Sequence, residues 1–334
     1  MDATEQVKLA LSSKKIKDYI RFANVRYFDY CQITIEGEHF SISLSYGCEW
    51  CKQTFREYQE PVELIGKEME PWSNEKLSVI ENAITVLKQL QTTFPCKETG
   101  VIIIEKEPAE VKKILGALDN FIYVSLSRER IEAVDVDVVM EFYKKGREIA
   151  INGSEMPLDY YHRNAFKFHI IYYEDARWVK LGHLFSMKGA WSVELGKNNF
   201  NCEDMNALLK HWMTCEGRRE EDLFEGLISL KVNTSGYPFR LLANHQNHLL
   251  LYVSLETDQL TIGVYYSDEP VMLAKGTRMT REYRILEILQ RKKVLEDESE
   301  IGENWNKIEI RQLEEELARN GVYYVDGTPY VDDL

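Results

Sequence analysis

Nowhere in the 334 residues does an apolar run approach the roughly 18 residues needed to cross a bilayer. The N-terminus, MDATEQVKLALSSKK, has no uninterrupted apolar segment of the kind that directs secretion. Both absences point to an intracellular protein, cytoplasmic or nuclear. Six cysteines, unevenly spaced, are too few for a secreted disulfide scaffold and fit reduced thiols. Positive charge is also short: 41 Lys and Arg face 55 Asp and Glu, a net charge of −14, with no long basic block. Nucleic acids and anionic membranes draw their affinity from Lys and Arg, so neither is an expected partner. No strand is followed by G-x-G-x-x-G or G-x-x-x-x-G-K-S/T, which argues against a doubly wound nucleotide-binding sheet, and no G-x-S-x-G elbow occurs.

What is present is alternation. Short apolar strands begin near Val101, Phe121, Glu148, Phe166, Trp191, Leu227 and Leu249, at intervals of 20, 27, 18, 25, 36 and 22 residues. Helical segments fall between most of them, over 109–118, 134–145, 175–187 and 202–214. That period is the one at which leucine-rich repeats stack their strands into a curved parallel sheet. The fold class read from it is α/β, a degenerate leucine-rich-repeat-like strand-helix repeat.

Before the repeat, two short N-terminal helices over 4–23 lead into a β-hairpin, in which Ile33 and Ile35 alternate, Glu36-Gly37-Glu38 turns, and Phe40, Ile42 and Leu44 alternate back. A polar loop with Pro61 and Pro71 follows, then a helix over 74–93. After Leu249 a hairpin about 257–259 precedes two charged helices near 278–296 and 305–320, with Gly321 as a C-cap. The expected domains are 1–56 (helices and hairpin), 57–73 (linker), 74–270 (repeat-like α/β domain) and 271–334 (C-terminal helical extension).

The stretch 177–232 reads as strand, helix, strand. Trp191, Val193 and Leu195 alternate with polar residues. Asn201 with Asp204 opens a helix whose apolar face is Met205, Leu208, Leu209 and Trp212. Aromatic-Val-x-Leu, then D-M-N-A-L-L-K-H-W, then a Leu-rich strand resembles the F-box-associated domain (type 2) of the large nematode F-box protein family, over residues 165 to 232. Trp178, Leu184, Asn206, Leu209, Lys210 and Trp212 fall where that family places apolar and polar residues. The bland reading of Trp178, Trp191 and Trp212 is that they are core aromatics. By the same resemblance, 4–23 is similar to the rear half of an F-box, with Val7, Leu11, Ile16 and Ile20 on its adaptor-facing positions. The Leu-Pro-containing front half, which does much of the docking onto a Skp-family adaptor, does not precede it, so adaptor binding is expected to be weak or absent.

An active site is the minority reading. Cys48-x-x-Cys51 lacks the second ligand pair of a structural zinc site. His245-x-x-His248 lies beside a strand without a catalytic Glu, and His162, His169 and His211 stand apart from one another. Asp135 with Asp137, and Glu220 to Asp222, read as exposed acidic runs. No cofactor or metal is implied, and a metal- or thiol-dependent enzyme stays as a second alternative.

The resemblance implies a non-enzymatic protein-recognition module, the substrate receptor of an SCF-type ubiquitin ligase with a Skp-family adaptor and a cullin as further partners. The alternative is a binder that sequesters its partner without ligase recruitment. If Phe166, Phe168 and Ile170 face the helices, then Lys167, His169, Glu194 and Lys231 lie on an open strand face and are the expected protein-binding residues.

Overall fold

The computed structural model describes residues 3–23, 28–45, 61–118, 120–153, 155–187, 190–201, 203–204, 207–208, 211, 228–233, 239–244, 249–255, 259–268, 270–271, 277–299 and 304–332. The chain divides into two compact units, Met1–Trp178 with Lys188–Ala190, and Val179–Met187 with Trp191–Leu334. This division falls inside the stretch read as one domain over 74–270.

The first unit begins with α1 (Ala3–Ser12) and α2 (Lys14–Ala23). The hairpin β1 (Phe28–Glu36) and β2 (His39–Ser45) follows, with Glu36 opposite His39. Within the stretch read as a linker, residues 62–72 take regular structure: β3 (Val62–Ile65) pairs antiparallel with β2, and a 3-10 helix runs over Gly66–Trp72. The alternation of Val62 and Leu64 with Glu63 and Ile65 was the overlooked strand signal. Helix α1 packs on β3 and the 3-10 helix, and α2 on α3 (Val79–Thr93).

Helix α3 starts five residues later than its periodicity suggests. Ser78 is the N-cap: its hydroxyl oxygen accepts the Glu81 N–H at 3.3 Å, and Glu81 accepts the Ser78 N–H at 2.9 Å. Asn74 is spent on a turn, its N–H donated to Asn82 Oδ1 at 2.8 Å.

Four parallel strands then succeed one another: β4 (Cys96–Ile104), β5 (Tyr123–Ser127), β6 (Glu148–Asn152) and β7 (Ile170–Asp175), separated by α4 (Pro108–Ala117) and α5 (Ala133–Glu141). Gly100 pairs with Tyr123, Tyr123 with Glu148, and Ile149 with Ile171, so neighbours lie 22 to 25 residues apart in sequence. Strand β1 lies parallel to β4 on its other side, giving the order β7-β6-β5-β4-β1-β2-β3.

One row of side chains crosses all seven strands: Leu64, Ile42, Ile33, Val101, Val124, Ile149 and Ile171, each paired with the next. None is more than 1% exposed. Burying each contributes about 1.5–3 kcal/mol, and the facing helices supply Ile80, Val86, Leu87, Leu90, Val111, Ile114, Val136 and Val139, all buried.

Polar staples tie successive repeats together. Arg128 donates to the buried Asp135 at 2.8 Å and to Glu107 at 2.8 Å, linking the N-terminal ends of α5 and α4. Asp135 is not the exposed acid its neighbours in sequence suggested; it is 1% exposed and also accepts the Glu132 N–H at 2.8 Å. Lys106, also buried, donates to the Gly37 carbonyl at 2.6 Å and so pins the hairpin turn.

In the second unit, α6 (Leu181–Phe185) is a single turn, much shorter than the 175–187 helix expected, because Asp175 still belongs to β7 and Trp178 sits in a turn. A ladder follows in the order β9-β10-β11-β12-β8, built from β8 (Ser192–Lys197), β9 (Leu230–Asn233), β10 (Phe239–Asn244), β11 (Leu249–Leu255) and β12 (Leu260–Tyr266), all antiparallel. The β11–β12 hairpin is the one read about 257–259, while β10 was not foreseen. Asn201 and Asp204 cap each other's backbone as expected, at 3.0 Å in both directions. Residues 203, 204, 207, 208 and 211 are helical and Leu208 is buried; Trp212, Leu209 and Met205 lie outside the described residues.

A two-residue ladder, β13 (Pro270–Val271) with β14 (Thr277–Arg278), precedes α7 (Thr280–Ser299) and α8 (Asn304–Arg319). Tyr283, Leu286 and Leu289 of α7 and Leu317 of α8 share one core with Leu230, Val232, Leu241 and Leu250. Gly321, at φ +78°, ends α8. The last hairpin, β15 (Tyr323–Val325) and β16 (Thr328–Asp332), turns at Asp326-Gly327, and β16 lies parallel to β9. Among the described residues, no helix is long and apolar enough to cross a membrane.

Replacing Arg128 by Met leaves the Asp135 carboxylate buried without its cation. The expected cost is about 2–4 kcal/mol, read as a lowered urea midpoint; a midpoint unchanged within error shows that the staple contributes nothing to stability.

Candidate recognition surface

Side chains alternate along each strand, so the dry row in the first unit defines a second face opposite it. Its rows are equally continuous. Ile65, Ser41, Thr34, Ile102, Ser125, Ala150 and Tyr172 form one, and Glu63, Ser43, Gln32, Gly100, Tyr123 and Glu148 another. A third, shorter row is His39, Glu36, Ile104, Ser127 and Asn152.

This face mixes polar, acidic, aromatic and aliphatic groups. Glu36, His39, Glu63, Ile65 and Glu98 are exposed, while Thr34, Ile102, Ile104, Tyr123, Glu148, Asn152 and Tyr172 are half-buried. Gly100 is required here by close approach: a Cβ on it would lie 1.8 Å from the Tyr30 hydroxyl, so the Tyr30 ring lies across β4. Asn152 donates to Ser125 at 2.7 Å, fixing the amide between β5 and β6. Burial, and secondarily the carboxylate of Glu98, push the Glu148 pKa up to about 7. A half-desolvated acid beside aromatic rings on rigid strands is well suited to accept a hydrogen bond or a cation from a partner, whose binding would return the charged form.

The expected binding residues are not gathered in one place. Lys167 and His169 precede β7 rather than lying on a strand, because the apolar run at Phe166 is consumed by a turn over 163–166. Phe166 and Phe168 are buried as read, but on β7 itself Ile171 and Tyr173 point to the core and Ile170 is half-buried, so the strand parity is reversed. Lys167 is exposed and donates to Asn164 at 3.3 Å. His169 is half-buried, its N–H donated to the Arg147 carbonyl at 2.7 Å.

In the second unit Lys231 pairs in series with Arg240, Val253, Ile262 and Val193. Glu194, the next residue after Val193, therefore points to the opposite face from Lys231, and the single open face holding both does not exist. Lys231 lies over the Tyr330 ring at 5.0 Å and donates to its hydroxyl at 3.3 Å; Glu194 accepts from Gln259. Of the adaptor-facing set, Val7, Leu11 and Ile20 are buried in the first unit's own packing, and the Ile16 side chain lies outside the described residues.

The remaining candidates for chemistry resolve into structure or fall outside the described residues. Trp178 is buried in an aromatic cluster, with ring centroids 5.1 Å from Tyr160 and 5.2 Å from Tyr173. His211 lies against the Phe185 ring at 4.2 Å, with Nε2 3.0 Å from the Phe185 carbonyl oxygen. His162 accepts the Asn164 N–H at 3.1 Å, and burial holds its pKa below the usual histidine value. Cys48, Cys51, His245, His248 and Glu220 to Asp222 lie outside the described residues. Among the described residues, no group of three or more His, Cys, Asp or Glu is placed to hold a metal ion.

A protein-family model described as F-box associated matches residues 162–223. No curated protein and no solved structure matches the chain. The matched segment contains β7, Trp178, α6, β8 and the Asn201-capped helix.

Because the folded-state pKa of Glu148 lies above its ordinary carboxylate value, the folded state holds this proton more tightly than the unfolded chain. Stability is then lost as pH rises from about 4.5 to about 7. Glu148→Gln is expected to raise the melting temperature by a few degrees at pH 8 and by little at pH 4.5. An equal effect at both pH values contradicts the shift.

Proposed function

We propose that this chain is a non-enzymatic protein-recognition module whose contact surface is the open strand face of the first unit. The observation that carries this reading is one-sided covering among the described residues. Helices dress one face of β4 to β7, while the other presents Ile102, Ile104, Tyr123, Glu148, Asn152 and Tyr172 from rigid neighbouring strands. Interfaces favour such aromatic and aliphatic anchors with polar groups around them. The F-box-associated match supports a role in target recognition.

The finer reading follows the same match. The parallel strands at 22–25-residue offsets support a leucine-rich-repeat-like platform, in which each repeat contributes one strand to a shared surface. An F-box-associated segment supports a place as the target-binding part of an SCF-type ubiquitin ligase, with a Skp-family adaptor and a cullin as partners, in a nematode protein. One observation favours the alternative, in which the chain sequesters its partner without a ligase. Val7, Leu11 and Ile20 are at most 5% exposed, so those side chains reach an adaptor only if α1 and α2 open.

Affinity capture from a nematode extract tests both readings. Wild-type protein is expected to enrich one target, and Ile102→Glu with Ile104→Glu to lose it with the melting temperature held within a few degrees; Ile104→Gln alone serves if the double variant is unstable. Unchanged capture by a folded double variant removes this face from the interface. Stoichiometric adaptor and cullin in the wild-type capture favour the ligase; a target without them favours sequestration.

A further inference from the structure

Over strands β1 to β3 the open face deepens into a groove of about 920 Å³, lined among others by Glu36, Glu38, Glu63 and Glu68 with Ile65 and Phe40. Among the described residues that line it, none is Lys or Arg. Of the cations near it among the described residues, Lys8 pairs with Glu68 at 2.9 Å, and Lys106 with the Gly37 carbonyl at 2.6 Å and Glu110 at 3.5 Å. Glu36, Glu38 and Glu63 form no ion pair and no side-chain hydrogen bond among the described residues, although Glu36 and Glu63 stand on regular strands that fix their positions. Ile65, 62% exposed, offers apolar surface between them.

We propose that this groove binds a basic segment of a partner protein, its Lys or Arg side chains paired with Glu36 and Glu63 and their aliphatic stems laid over Ile65. The spacing of the carboxylates selects the occupant. Glu36 pairs with His39, and Glu63 with Ser43. The two acids are thus two strands apart across the sheet and four residues apart along it, about 16 Å between Cα atoms. A single divalent cation needs oxygens converging within about 2.6 Å of it, so it cannot bridge them. An extended peptide rises about 3.3 Å per residue and puts residues four apart on the same side, about 13 Å from each other, so cations four residues apart on one segment reach both carboxylates through their long side chains. Long stems on Lys and Arg suit the exposed Ile65, since such side chains bury their methylenes while keeping the charge in water.

The proposal deepens the recognition reading and rests on it, but peptide binding is measured directly, so its failure leaves capture through β4 to β7 to be judged separately. Fluorescence anisotropy of the full chain is followed with a labelled ten-residue Gly/Ala peptide carrying two arginines four positions apart. A peptide with the arginines adjacent, a neutral peptide and spermidine are the comparisons. The spaced peptide is expected to bind more tightly than all three, to weaken from low to physiological salt, and to lose about tenfold in affinity on Glu36→Gln with Glu63→Gln, with melting unchanged. Equal binding of the adjacent-arginine peptide or spermidine, or full binding by a folded double variant, overturns the proposal.

Discussion

A row of seven apolar side chains, Leu64 to Ile171, one from each strand of the first unit and none more than 1% exposed, is the constraint on which that unit depends. A strand can bury such a side chain only beside neighbours that bury theirs, and the helices must then lie on that side. The opposite side is left with the alternate residues. Its composition is therefore freer of the packing requirement, and it carries Glu36, His39, Glu63, Glu148 and Asn152 where the seven-residue row carries only apolar groups. The proposed contact residues and the packed residues occupy successive positions of the same strands.

The polar staples hold this arrangement in register. Arg128 joins Glu107 to Asp135 across consecutive repeats, and Arg147 donates from Nε to the Phe121 carbonyl at 3.0 Å while its guanidinium lies 3.7 Å over the Phe121 ring. Burial lowers the Arg147 pKa from its usual value. Fixed strands make a surface whose chemistry is set before a partner arrives, which reduces the ordering cost of association.

The sequence was legible where period and punctuation agreed. Strands at Val101, Glu148 and Leu249, the Glu36-Gly37-Glu38 and Asp326-Gly327 turns, the Asn201–Asp204 cap and the Gly321 stop all follow from local chemistry. It misled where an apolar run did not choose its own conformation. Phe166, in a turn, and Phe168, in the bend after it, are buried outside any strand, because Trp178 and Tyr173 pack against Phe166 and Tyr143 against Phe168. The irregular backbone between Phe168 and Ile171 shifts the buried positions from even to odd numbers, which reversed the parity on β7 and with it the choice of Lys167 and His169. The opposition of Glu194 and Lys231 was hidden for a different reason: it depends on three intervening strands, and β10 lacked a readable boundary. Asp135 looked like a solvated acid because its cation, Arg128, belongs to the preceding loop.

Photocrosslinking measures the central claim most directly. With p-benzoylphenylalanine placed singly at Ile102, Ile104 or Tyr172 on the open face, and at Lys112 of α4 or Val134 of α5, both exposed, irradiation in extract is expected to attach one common protein through the first three positions and not through the last two. A common adduct formed only from Lys112 or Val134 would place the interface on the helices and contradict recognition by the open strand face.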